Sequence, residues 1–128
     1  MATVTLQQRM DTIVSTLVAL GLEKNIDWRE RLEAQDTVYR QVMKIDKEVG
    51  DGVQVGKLVK FQVADGYAMY WVTEVKDDCV MTVHLPFFDA YTSIAVREDG
   101  MIPMYIAEQV IKCSDGLRKM FGNSSLDE

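Results

Sequence analysis

The apolar residues change period twice along this chain, and that double switch limits its possible folds more than any other feature. Leu6, Met10, Ile13, Val14, Leu17 and Leu20 recur every three or four residues, the spacing of one helical face. Thr5 with Gln8 fits a capping box ahead of the run, and Gly21 suits a stop, so the first helix is expected over 6–20. A second is expected from Asp27, which has the cap-x-x-Glu form with Glu30, to the glycines at 50 and 52. Its apolar face is Trp28, Leu32, Tyr39, Val42 and Met43. After Gly56 the period falls to two: Val59, Phe61 and Val63 alternate with Lys60 and Gln62.

Turn chemistry divides the chain beyond Val63. Asp65-Gly66 is the strongest short hairpin signal, and Tyr67 to Lys76 reads as a long strand. Asp77-Asp78 makes a second turn, and Cys79 to Leu85 a third strand that Pro86 ends. A fourth strand is expected over Thr92–Arg97. Pro103 then opens a helix through Ile106, Val110 and Ile111, which Ser114-Asp115-Gly116 should interrupt. The implied fold is α+β: an N-terminal αα-hairpin (6–49), an antiparallel sheet or small SH3-like barrel of three to five strands (56–97), and a C-terminal helix (103–121). A polar tail over 123–128 is expected to fray, and the whole of 1–128 reads as a single domain.

Two-residue turns at both hairpins would set Ala64 against Tyr67 and Lys76 against Cys79. One sheet face would then carry Val59, Phe61, Val63, Ala68, Tyr70, Val72, Met81 and Val83, which is a core. The other, a mixed face, would carry Lys60, Gln62, Tyr67, Met69, Trp71, Thr73, Val75, Val80, Thr82 and His84. That face is too apolar to stand bare, so the helical hairpin, the C-terminal helix or a partner should cover part of it. In this register Trp71 lies opposite His84, with Phe87 and Phe88 just beyond Pro86. The candidate binding residues are therefore Tyr67, Met69, Trp71, His84, Phe87 and Phe88.

The catalytic inventory is thin. His84 is the sole histidine, and it stands five positions after Cys79, an odd offset that puts the two on opposite faces of one strand. Cys113 reads as a small buried thiol on a helix. One histidine and two separated cysteines do not make a closed zinc site, and the acidic turns lack the ligand pattern of a calcium loop. Asp65, Glu74 and Asp89 could converge as a carboxylate pair, but turn and surface positions explain the first two. Gly50-Asp51-Gly52 has no phosphate-binding fingerprint and reads as a linker. No catalytic residue, metal or cofactor is assigned.

Charge narrows the partners. Apolar residues make up 48% and charged residues 27%, the balance of a soluble globular protein, and the net charge is −6. The window from Asp65 to Glu108 holds eight acids and two bases, a surplus equal to that whole net charge. Direct nucleic-acid binding is therefore not expected. Nor is a membrane span or a secretory leader, and two cysteines suit a reducing cytoplasm. The expected function is a non-enzymatic protein-binding or assembly module that acts through an aromatic sheet surface and amphipathic helices, with a protein partner or a homodimer. The alternatives are an acidic inhibitor or nucleic-acid mimic that blocks a basic groove, and a small enzyme or small-molecule-binding protein centred on His84.

Overall fold

The capping box at Thr5 forms as expected. Gln8 N–H donates to Thr5 Oγ1 (3.1 Å) and Thr5 N–H donates to Gln8 Oε1 (2.8 Å), which starts α1 (Leu6–Leu22). The helix passes through Gly21 and ends just beyond the expected stop. Asp27 occupies the cap position of α2 (Trp28–Glu48), but its side chain makes no capping bond. Met10 and Ile13 of α1 pack on Val38, Val42 and Ile45 of α2. An arginine ties each end of the pair: Arg9 Nη1 donates to Glu48 Oε2 (2.7 Å), and Arg31 Nη1 donates to the Leu20 carbonyl (2.6 Å). The second bond satisfies a carbonyl of the last turn of α1, which has no partner within the helix. The computed structural model describes residues 4–22, 27–63, 66–85, 96–97 and 99–121.

Four antiparallel strands come next, β1 (Leu58–Val63), β2 (Gly66–Val75), β3 (Cys79–Leu85) and β4 (Met101–Pro103), in the spatial order β1-β2-β3-β4. The sheet curls into a half-barrel, and α3 (Met104–Phe121) completes an α+β architecture. Two cores result. Leu58, Met69, Trp71 and Leu85 meet the α1–α2 pair on one face. Val59, Ala68, Tyr70, Val72, Val80 and Ile102 meet Ala107 and Ile111 of α3 on the other. Of the apolar residues expected on the second face, Met69 and Trp71 are covered by the helical hairpin, Val80 by α3, and Val75 is exposed.

The register departs from expectation at two places. Val63 pairs with Gly66, so β1 and β2 are offset by two residues from an Asp65-Gly66 turn. A two-residue offset preserves side-chain direction, and Val59, Ala68, Tyr70 and Val72 still share a face. The Asp77-Asp78 turn is in place, with Lys76 N–H donating to Cys79 O (2.8 Å), yet the β2–β3 pairing slips between Val72 and Glu74. Thr73 is the extra residue of a bulge, and one extra residue reverses the face of everything beyond it. Trp71 therefore pairs with Val83, and His84 pairs with Tyr70.

Two further expectations are corrected. Residues 96 and 97 belong to no strand, residues 92–95 lie outside the described residues, and the fourth strand is Met101–Pro103, too short to show a period of two. Helix α3 begins directly after Pro103 and runs unbroken through Ser114-Asp115-Gly116. Ser114 Oγ donates back to Val110 O (3.1 Å), and Asp115 is engaged from outside the helix.

That engagement centres on Lys57, just before β1, whose residue surface is 1% exposed. Its ammonium lies 3.2 Å from Asp115 Oδ1 on α3 and 3.6 Å from Asp46 Oδ1 on α2. Each carboxylate also accepts a backbone N–H, Asp46 from Leu58 (2.8 Å) and Asp115 from Gly52 (2.9 Å). Removing one member of a buried ionic group leaves the others uncompensated, at a cost of about 3–5 kcal/mol. Lys57→Met is expected to lose that much in urea unfolding. The triple variant with Asp46→Asn and Asp115→Asn should recover most of it, because the amides still accept both N–H groups. Equal instability of the two proteins would show that the ammonium does not compensate the carboxylates.

Candidate functional site

The expected binding residues do not form one cluster. Met69 and Trp71 are core residues, Trp71 with 0% exposure, and the indole N–H donates to the Gly56 carbonyl (2.8 Å). The backbone closes around that bond, since Gly56 N–H donates to Val72 O and Val72 N–H to Lys57 O, both at 2.8 Å. Gly56 has φ +97°, and a Cβ there would stand 2.9 Å from Ile45 Cγ2, so only glycine fits without strain. The Trp71 ring is thus placed by the start of the sheet it packs under. The bulge at Thr73 sends His84 to the opposite face. The Tyr67 side chain, Phe87 and Phe88 lie outside the described residues, as do Asp65 and Asp89.

His84 stacks on Tyr70 with ring centroids 4.9 Å apart, and Tyr70 meets Phe61 edge-on at 5.9 Å. The three make an aromatic row across β1, β2 and β3 on the α3 side. Burial holds the His84 imidazole below its ordinary range. The Cys79 thiol is pushed up by desolvation and by the neighbouring Asp78 carboxylate, the opposite of an activated nucleophile. Cys113 is exposed, not buried as expected for a small core thiol. Among the described residues, no three of His, Cys, Asp or Glu lie together as a metal site. An open groove of about 370 Å³ runs between α1 and α2 past Arg9, Thr12, Gln41 and Lys44. Arg9 there is already paired with Glu48.

The most distinctive surface is one that periodicity assigned to the interior. Trp28 is 63% exposed and Leu32 55% exposed, one turn apart on α2, and Val18 of α1 is 55% exposed. The buried residues of α2 are Val38, Val42, Ile45 and Asp46, all in its C-terminal half. At 3.6 residues per turn Trp28 and Asp46 are about five whole turns apart and project to the same side. Trp28 and Leu32 thus continue the stripe by which α2 meets the sheet, on a stretch of helix with no buried residue. The Arg29 guanidinium sits 5.3 Å from the Trp28 ring, a cation–π contact. Leu117 and Met120 are also exposed, near the end of α3. Tyr105, nearer the start of α3, is exposed as well.

Two outcomes separate core from surface. Trp71→Ala should cost about 3–5 kcal/mol of stability through the cavity it leaves, whereas Trp28→Ala should stay within about 0.5 kcal/mol. Urea titrations of both variants measure the difference, and equal losses would contradict the placement of Trp28. His84 has a pH signature. Its folded affinity for a proton is below that of the unfolded chain, so its contribution is complete above about pH 6.5 and is lost as pH falls toward the depressed folded value. Relative to the parent protein, His84→Gln should therefore lose less melting temperature between about pH 7 and pH 5. Parallel melting curves would show that His84 makes no such contribution. A scan against protein-family models and searches of curated proteins and of solved structures each returned no match, so the geometry alone carries the functional reading.

Proposed function

We propose that this protein is a non-enzymatic protein-binding or assembly module whose contact surface is the exposed end of its helical hairpin. The observation that carries this reading is the pair Trp28 and Leu32, adjacent on α2 and more than half exposed. Tryptophan is costly to leave in water and is enriched among the residues that dominate interface energies. A large apolar side chain on a solvent-facing stretch of helix is a common mark of a docking surface. The mixed charges around it, Arg29, Glu33, Asp36 and Arg40, match the polar rim of such a surface. The net charge of −6 argues against nucleic acid as the partner. No helix among the described residues is long and apolar enough to cross a membrane. Two free thiols, Cys79 and Cys113, fit a reducing compartment such as the cytoplasm.

The test places a photocrosslinking amino acid at position 28 and, as a control, at the exposed position 108 of α3. On irradiation in cells, position 28 should give a discrete polypeptide adduct that position 108 does not. Absence of any adduct specific to position 28 would overturn the reading.

A further inference from the structure

The charges flanking Trp28 and Leu32 indicate what the partner is. Arg29 and Asp36 are seven residues apart on α2, which places them on the same flank, within about 20° around the helix axis. Suppose a two-fold axis passes beside Leu32 and sets two α2 helices antiparallel. With that axis level with the peptide joining Leu32 to Glu33, residues whose numbers sum to 65 meet across it, on matching flanks. Arg29 comes level with the partner's Asp36, and the partner's Arg29 with Asp36, while the two Leu32 side chains lie beside each other, offset by about 1.5 Å along the helices. Trp28 lies along the partner helix at the same level. The crossing is apolar at its centre and has opposite charges on both sides, a fit that α2 makes to itself.

The rest of the charge distribution permits this pairing. The acidic surplus lies between Asp65 and Glu108, outside the hairpin, while the stretch of α2 from Arg29 to Arg40 balances Arg29, Arg31 and Arg40 against Glu30, Glu33 and Asp36. Leu32 stands fourteen residues, about 21 Å, from Asp46 along the helix, so the two Asp46 residues of such a pair are about 42 Å apart. That exceeds the screening length of about 8 Å at physiological salt, and the acidic bodies do not oppose the contact.

We infer that the partner of the hairpin surface is a second copy of this chain, joined through antiparallel α2 helices that cross at Leu32. The inference rests on the preceding reading of that surface. Sedimentation velocity over a concentration series tests it, with thermal melts to show that each variant is folded. The parent protein should pass from monomer to dimer by the high micromolar range, and Leu32→Glu should remain monomeric with an unchanged melt. Arg29→Glu alone and Asp36→Arg alone should each be monomeric, since each faces like charges across the axis. An equimolar mixture of those two variants should regain the dimer, because every facing pair is then opposite. A parent protein that stays monomeric throughout, or charge variants that dimerise as the parent does, would overturn the inference. A position-28 adduct containing only a different protein would overturn it too, while leaving the docking surface itself standing.

Discussion

One buried ammonium between two carboxylates fixes how the layers of this protein sit on one another. Lys57 belongs to the start of the sheet, Asp46 to the hairpin helix and Asp115 to the C-terminal helix, so the three charges meet where all three layers meet. Such a group is not stronger than well-packed hydrocarbon, because desolvation consumes most of the attraction. Its contribution is discrimination. Sliding α3 by one turn would carry Asp115 about 5.4 Å away and leave charges buried without partners, whereas a purely apolar contact would tolerate the slip more easily. The N–H groups of Gly52 and Leu58 tighten the same choice, since each finds its acceptor only in this arrangement.

With the layers placed, the sheet has little outer surface left. One face supports the α1–α2 pair through Trp71 and Leu85, and the other supports α3 through Val72, Val80 and Ile102. Residues on both faces of β2 are consequently apolar, and the strand reads as a nearly continuous hydrophobic run where a half-solvated strand would alternate. Part of the exposed apolar surface that remains lies at the hairpin end, where Trp28 and Leu32 stand beyond the buried half of α2.

The element types were legible because each has a local cause. The capping box at Thr5, the period of two after Gly56 and the Asp77-Asp78 turn each act over a few residues and reappear in the structure. Side-chain direction beyond Thr73 was not legible. A single extra residue reverses it, and nothing in Val72-Thr73-Glu74 marks a bulge. Asp115 misled for the complementary reason: Ser-Asp-Gly is a turn signal by composition, but a lysine 58 residues earlier holds this aspartate within a helix. Periodicity puts Trp28 on the inward face because it gives the direction of a side chain without saying whether anything lies there to meet it. The expected cluster of Trp71 with His84 failed through the bulge alone.

The distance in sequence between Lys57 and Asp115 also bears on how the chain acquires its fold. Helix α1, α2 and the β1–β2 hairpin are local structures that form early and cheaply. Yet Lys57 and Asp46 enter a dry interior only when α3 arrives to shield them and supply the second carboxylate. Until then water solvates the ammonium better than a half-built core does. The C-terminal helix is therefore the element that permits the middle of the chain to dehydrate. Both cores therefore share one dry junction, at Gly56 and Lys57, that is complete only with α3 docked.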